Sequence, residues 1–311
     1  MEVSIIIVNW NAGAVLENCL RSLPAGLGTL SAETWVVDNA STDGSPATIR
    51  QQFPEVQLQV NIVNRGFAAA NNQAAHQARG RYFLLLNPDT LVTPGAIEAL
   101  WRFAEANPTA GCLGPRLNDV SGRFQRSFWR GFPGLGMALA DALYLWKIPR
   151  LPLTQRIDSA SGPLSAPTEV DHLLGACLLI RRETWQQVGG LDEHFFLFLE
   201  ETDWCYRARR AGWRVIYLPQ ASVTHLGEHS VNQNPQRNLP QLYRSYCQFY
   251  RKHFSTAPLR LGLLKGIIAV AALVRIALWK VRQRRWPGTL LKHARAMQSG
   301  YSQVLRELPS F

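Results

Sequence analysis

Residues 81–90 read Arg-Tyr-Phe-Leu-Leu-Leu-Asn-Pro-Asp-Thr. Tyr82–Leu86 is an unbroken apolar run, the pattern of a strand covered on both faces, as in a parallel sheet. Pro88 cannot donate to a ladder and holds Asn87 extended, so the strand ends there. Asp89 therefore falls just past the carboxyl end of a central strand, the edge where open α/β sheets bind ligands. A carboxylate at that place suits a hard cation bridging phosphate oxygens, although a turn Asp would look the same. Thr93-Pro94 reads as the start of the next helix, with Pro94 its first residue and its end near Ala106.

Upstream, Val3–Val8 is a β-branched strand ending in Asn9-Trp10-Asn11. Val15, Leu16, Cys19, Leu20 and Leu23 follow at helical spacing. Thr34–Val37 is a second strand that runs into the dense polar loop Asp38–Ser45, and Gln57–Val63 is a third. Asn64-Arg65-Gly66-Phe67 then opens a small-residue helix. Strand and helix alternate with short connections, which predicts an α/β fold with a mostly parallel central sheet and right-handed crossovers.

Downstream, residues 117–170 lack sustained periodicity apart from the apolar patch Leu135–Trp146. They read as an irregular segment over the sheet edge, mobile near Ser159–Pro167. Regular structure resumes with a strand at Leu173–Ile180, helices at Glu183–Val188 and Glu200–Ala211, and a strand at Val215–Leu218 leading to His225. The expected organisation is 1–236 as one domain, in two halves at 1–115 and 116–236. A basic amphipathic helical tail occupies 237–311.

Charge separates those parts. The tail holds 14 Lys/Arg and one acid, Glu307, whereas residues 1–236 carry a formal charge of only −2. Such a tail seeks anionic lipid or nucleic acid. Apolar residues fill the gaps between its charges and no nucleic-acid motif is present, so an anionic membrane surface is the expected partner and nucleic acid is not. Leu259–Arg285 contains seven Lys/Arg, with Arg275 where a membrane-spanning helix would be deepest. An in-plane anchor with Trp279 and Trp286 at headgroup depth fits better. The five cysteines are scattered, with no CxxC, which argues for reduced thiols in a cytoplasmic setting. The first strand begins within three residues of Met1, with no leader-like stretch before it.

Three acidic clusters follow a strand or open a helix: Asp38, Asp89, and Glu200-Glu201-Thr202-Asp203. At an edge holding a nucleoside diphosphate, Asp38 could accept a base imide N–H, Asp89 could hold a metal, and an acid of the third cluster could deprotonate an attacking hydroxyl. A helix N-terminus would keep that acid ionised at neutral pH. Asp203 is placed to pair with Arg207 at i,i+4. Asp192-Glu193 reads as a structural turn or an acceptor contact, and Trp129, Trp146 and Trp213 as packing rather than sugar platforms, with Trp129 in the irregular segment where an acceptor could bind.

The runs Ile-Ile-Val-Asn-Trp-Asn at 6–11, Val-Val-Asp-Asn-Ala-Ser-Thr-Asp-Gly-Ser at 36–45, Asn-Arg-Gly-Phe-Ala-Ala-Ala-Asn-Asn at 64–72 and Asn-Pro-Asp-Thr at 87–90 resemble family 2 glycosyltransferases of the GT-A fold. Gly-Ala-Cys-Leu-Leu-Ile-Arg-Arg at 175–182, Gly-Gly-Leu-Asp-Glu at 189–193 and Phe-Leu-Glu-Glu-Thr-Asp-Trp-Cys-Tyr-Arg at 198–207 are similar to its bacterial rhamnosyltransferase-like branch. The resemblance implies an inverting transferase with a divalent metal, Mg²⁺ or Mn²⁺. It implies a nucleoside-diphosphate sugar donor, dTDP-rhamnose ahead of a UDP-sugar, and a cell-surface or lipid-linked glycan acceptor. The place of action would be the inner face of the cell membrane. By the same resemblance Asn9, Trp10, Asp38 and Asn39 line the base and ribose, and Asn64, Gly66 and Asn72 support the nucleotide loop. Asp89 matches the last Asp of the metal motif, Glu201 the catalytic base, and His225 a late histidine near the metal. Two positions depart from the family pattern. Asn87 stands where the metal motif begins with Asp, so the ion would lean on diphosphate oxygens. Glu201 is Glu where Asp is common, which keeps Glu200 and Asp203 as alternative acids. The rival reading is a membrane-docked sugar-nucleotide-binding module with a degenerate site.

Overall fold

The protein is described by a computed structural model over residues 1–143, 164–227, 234–254, 257–284 and 286–311. The apolar patch beyond 143 and the expected mobility at 159–163 lie outside the described residues. The chain forms two compact units. The first holds residues 1–130, 164–196 and 200–226 of those described, and the second holds 131–143, 197–199, 227 and everything described from 234 onward.

In the first unit β1 (Val3–Asn9), α1 (Gly13–Leu27), β2 (Ala32–Asp38), α2 (Ser45–Gln52), β3 (Gln57–Val60), α3 (Phe67–Gln77) and β4 (Tyr82–Leu86) alternate as the pattern predicts. β1 pairs in parallel with both β2 and β4, and β2 with β3. Every residue of β1 and β4 is buried. Alternate side chains face opposite sides of the sheet. Ile5, Ile7, Leu84 and Leu86 join one core with Leu16, Leu20 and Leu100, whereas Ile6, Val8, Phe83 and Leu85 join another with Ala70, Ala74 and Trp204. Helices thus cover both faces, which is why the strands read as continuous apolar runs.

Beyond β4 the chain departs from the expected course. β5 (Thr90–Val92) and α4 (Ala96–Ala106) come next. Pro94 is not the first helical residue: Thr90–Val92 pairs antiparallel with a distant strand, so the chain stays extended until Gly95, at φ +72°, turns it into α4. β6 (Ala110–Asn118), β7 (Phe124–Gln125), β8 (Phe128–Trp129), α5 (Leu135–Ala142), β9 (Thr168–Glu169) and β10 (His172–Leu173) give much of the supposedly irregular segment regular structure. Two-residue strands carry no readable period. β11 (Cys177–Arg181), α6 (Arg182–Val188), α7 (Glu200–Arg210) and β12 (Arg214–His225) complete the unit. β12 is longer than the Val215–Leu218 expected, and β3 ends at Val60 rather than Val63.

The sheet has ten strands, with the path β3-β2-β1-β4-β11-β6-β12-β5 and β7 and β9 as side pairs. β11 runs antiparallel between β4 and β6, while β12 lies parallel to β6. The sheet is therefore mixed, with its parallel half at the N-terminal side. β8 and β10 form a separate two-stranded ribbon.

The second unit is helical: α5 with α8 (Pro235–His253), α9 (Pro258–Gln283) and α10 (Gly288–Glu307). Leu239, Cys247, Tyr250, Leu264, Ile268, Met297, Tyr301 and Val304 form its core. A Cβ on Gly300 would lie 2.5 Å from the Pro235 carbonyl, so glycine permits α8 and α10 to approach. All five cysteines are free and buried.

Candidate active site

The carboxyl ends of β1, β2 and β4 lie side by side, since Asn9 is the register partner of Asp38 and Ile7 that of Leu86. Asn9 and Asp38 are both fully buried. The Asn9 amide donates to Asp38 Oδ2 (2.7 Å) and to Ser45 Oγ (2.7 Å), and the Ser41 N–H donates to Asp38 Oδ1 (2.9 Å). Asn39 donates to the Gly66 carbonyl (3.0 Å) and accepts from Asn61 (2.9 Å). Asn64 Oδ1 accepts the Gly66 N–H at 2.9 Å. Gly66 has φ +84°, and a Cβ there would meet the Phe196 carbonyl at 2.5 Å, so no other residue fits without displacing backbone. These residues form one hydrogen-bonded floor, with Trp10 47% exposed at its rim. Asn72 lies apart from that floor. It donates to the Leu191 carbonyl (2.8 Å) and to Glu193 (2.9 Å), fixing the Leu191–Glu193 turn to α3. Asp192 accepts the His194 N–H at 3.0 Å, so Asp192-Glu193 is built as a structural turn.

Asp89 sits where Pro88 ends β4. Thr90 Oγ1 donates to the Asn87 carbonyl (2.7 Å) and closes the turn, and the Leu226 N–H donates to the Asp89 carbonyl (2.9 Å). Because β5 pairs with the end of β12, Thr90 opposes His225. His225 Nε2 consequently lies 3.4 Å from Asp89 Oδ1, both side chains being mostly buried. Gln125 Oε1 is 3.0 Å from His225 Nδ1. With Nδ1–H donating to that oxygen, Nε2 keeps its lone pair toward Asp89, the arrangement of a metal-binding imidazole with its orienting partner. The two donors are close enough for one ion with ligand distances of roughly 2.0–2.2 Å. Among the described residues no cluster of three or more His, Cys, Asp or Glu could hold a metal. The donor set fits a hard divalent ion that takes its remaining ligands from phosphate and water, as Mg²⁺ and Mn²⁺ do.

The third cluster opens α7, whose first turn carries Glu200, Glu201 and Asp203 and whose last turn carries Arg207, Arg209 and Arg210, complementing the helix dipole. Asp203 is fully buried and accepts from Arg207 Nε at 2.8 Å. Arg207 also donates to the carbonyls of Val188 (2.7 Å) and Gly190 (2.8 Å), so this pair orders the Gly189-Gly190 turn. Glu200 is 4% exposed, and among the described residues its Oε2 has no hydrogen-bond partner. Burial first, and the neighbouring Glu201 charge second, push its carboxyl well above the usual range. Glu201 is pushed up to about 7 by burial, against the N–H groups of Thr202 and Gly175 and the Thr202 hydroxyl, which favour the carboxylate. The dipole-based expectation of a firmly ionised acid is thus corrected: desolvation outweighs the helix N-terminus. A group poised near neutrality can both receive and release a proton.

The Asp89 turn and Glu201 meet through one short backbone segment. The Asn87 N–H donates to the Ala176 carbonyl (2.9 Å), and the preceding residue, Gly175, lies against Glu201. The groups behind Glu201 carry no signal in the sequence. Thr202 Oγ1 is 3.3 Å from His172 Nδ1, and His172 stacks on Trp129 with ring centroids 4.8 Å apart and planes 3° from parallel. The Arg126 guanidinium lies 5.0 Å from the centre of the Trp129 ring. The β8–β10 ribbon makes this stack, and no local pattern announces it. Trp213 donates to Gln187 (2.8 Å), a packing role.

Comparison with known proteins agrees with this architecture. The family model for glycosyl transferase family 2 matches residues 4–188. An N-acetylglucosaminyl-diphospho-decaprenol L-rhamnosyltransferase from Mycobacterium tuberculosis is 32% identical over 302 residues, which is 90% of this chain and 95% of that protein. A low-salt glycan biosynthesis hexosyltransferase from Haloferax volcanii is 27% identical over 82% of this chain and 75% of its own length. Among solved structures, a mannosyltransferase from Pyrobaculum calidifontis in complex with GDP-Man and Mn²⁺ superposes with TM-score 0.53 at 18% identity, covering 99% of this chain and 87% of that one. GalNAc-T7 with UDP, GalNAc and Mn²⁺ gives TM-score 0.58 at 15% identity over 100% of this chain and 57% of that one. Both share the GT-A fold.

Proposed function

The chain belongs to glycosyl transferase family 2 and is a rhamnosyltransferase-like glycosyltransferase; from that premise we propose that it transfers rhamnose, with inversion, from dTDP-rhamnose, ahead of a UDP-sugar, to a hydroxyl of a lipid-linked glycan. The supporting observation is the convergence at one sheet edge of Asp89 and His225 with Glu201, linked through Gly175-Ala176 to Asn87. The rhamnosyl donor and lipid-linked acceptor are supported by the name of the Mycobacterium tuberculosis relative. The work site would be the cytoplasmic face of the membrane.

Asp89 and His225 would hold a divalent ion, Mg²⁺ or Mn²⁺. That ion, when bound, neutralises charge on the departing diphosphate. Glu201 takes the proton of the acceptor hydroxyl as its oxygen bonds to the anomeric carbon. The bond from that carbon to the diphosphate oxygen breaks, and the electron pair leaves with the diphosphate. The Gly175 and Thr202 N–H groups favour the ionised form of Glu201. The floor around Asn9, Trp10, Asp38, Asn39, Asn64 and Gly66 would carry base and ribose. Asp203 stays in its pair with Arg207, and burial raises the Glu200 carboxyl well above the usual range, which favours Glu201 as the proposed base.

The test is an assay of a nucleotide-sugar panel with a diphosphoprenyl-N-acetylglucosamine acceptor, with and without chelator. Transfer from dTDP-rhamnose that Asp89→Ala and Glu201→Gln each abolish, in folded protein, is the expected result. Donor binding without transfer or hydrolysis would favour the degenerate binding module, and full activity in both variants would overturn the roles of Asp89 and Glu201.

A further inference from the structure

Helix α9 is apolar on two sides, and only one side is used within the helical unit. Leu264, Ile268 and Ala272 are buried in that unit's core, and Ala271 is buried beside them. Arg275, 5% exposed, lies on the same side, where its guanidinium donates to Asp141 Oδ2 at 2.8 Å and sits 5.6 Å from the centre of the Tyr301 ring. The opposite side presents Leu259 (86% exposed), Leu263 (56%), Val270 (58%), Leu273 (56%) and Val274 (42%), continuing through Leu278 and Val281. Their spacing of three, four and seven residues makes one stripe along the helix. Gly262, Gly266 and Ala277 are exposed on the same side, so no polar side chain interrupts it between Arg260 and Lys280.

Two further features bear on what covers this stripe. Its ends are cationic: Arg260 at one, Lys280 and Arg284 at the other, with Lys292 and Arg295 on α10. Neither α9 nor α10 carries an acid before Glu307. Beyond Leu278 lies an aromatic cluster in which the Arg282 guanidinium stands 4.5 Å from the centre of Trp279 and 5.3 Å from that of Trp286. His293 packs on Trp279 at 5.5 Å. Trp279 itself packs against the unit's core, so it is the cationic ends of the exposed stripe that match a lipid surface.

We propose that the exposed side of α9 docks in the plane of an anionic bilayer, its Leu/Val stripe entering the acyl boundary and Arg260, Lys280 and Arg284 meeting lipid phosphates. By length and composition α9 could cross a bilayer. A crossing helix would put the Arg275–Asp141 pair and the protein-packed side of α9 into hydrocarbon, whereas an in-plane helix keeps both within the unit. A second copy fits poorly, because a two-fold contact between identical stripes would bring Arg260, Lys280 and Arg284 of each against cations of the other. The docking surface needs nothing from the transferase site, so the two readings fail separately.

The test is flotation of the full-length protein with phosphatidylglycerol or phosphatidylcholine vesicles, in low and high salt, with light scattering on the unbound protein. Wild type should float with phosphatidylglycerol vesicles, less in high salt, and hardly with phosphatidylcholine. Leu263→Asp with Leu273→Asp should lower vesicle partition by more than about tenfold, with unchanged melting because both side chains are exposed. Lys280→Glu with Arg284→Glu should remove the preference for anionic vesicles. Wild type that stays unbound, or a Leu263→Asp, Leu273→Asp variant that floats as well as wild type, overturns the proposal. Dimeric wild type made monomeric by those two substitutions also overturns it and assigns the stripe to a second copy.

Discussion

Two buried acidic sites lie at the same sheet edge, and their surroundings differ in one respect. Asp38 accepts from the Asn9 amide and the Ser41 N–H, in a floor where each polar group meets another. Glu200 and Glu201 share the first turn of α7, and both hold their protons more tightly than a free carboxyl. A buried acid met by donors of its own floor builds structure; an acid that desolvation raises toward neutral pH can exchange a proton. On this contrast rest the proposed roles of Asp38 in shaping the donor floor and of Glu201 in acting on the acceptor.

The contrast can be broken most directly at Glu201. Glu201→Gln keeps the shape and removes the base, so kcat should fall by ~10²–10⁴ with melting temperature nearly unchanged. Asp38→Ala should do the reverse: stripping the partner of two buried donors should cost about 1–3 kcal/mol per orphaned group, read as a lower urea midpoint. Next comes pH. With Glu201 near 7, kcat should fall roughly tenfold per unit once pH drops well below 7. A flat profile between pH 5 and 8 would remove Glu201 as the base.

Glu200 offers a smaller and oppositely signed effect. Its folded-state proton affinity exceeds the unfolded one, so stability declines as pH rises from the unfolded value toward the folded one. Glu200→Gln removes that deficit, and its gain in melting temperature should be larger at pH 8 than at pH 4. Smallest is Thr202→Val. Losing a hydroxyl that favours the Glu201 carboxylate should move the acid limb of the kcat profile upward by a fraction of a pH unit, and His172→Ala should follow in the same direction.

Much of the donor side is legible in the sequence because it is local. The run Tyr82–Leu86, Pro88 and the polar loop after β2 each act within a few residues, and the alternation of strand and helix follows from them. The departures share one cause. Pro94 reads as a helix start because nothing near Thr90–Val92 reveals a partner strand, which is supplied by Val223–His225. Gln125, Trp129, His172 and Thr202 gain roles through β7, β8 and β10, whose two-residue lengths hold no pattern. The ionisation of Glu201 departs from expectation for the same reason: a helix start shows in sequence, whereas the burial that outweighs it does not.

The sequence by itself determined the parallel half of the sheet, the position of Asp89 at its edge and the gathering of cations in the tail, since apolar period, proline geometry and charge are properties of neighbouring residues. Only the tertiary structure decided that His225 faces Asp89, that Gly175 bears on Glu201, that Asp203 is occupied by Arg207, and which side of α9 stays uncovered. Those facts depend on strand pairings and on exclusion of water by segments far apart in the chain, and solvation is set by whatever is packed around a group rather than by what precedes or follows it.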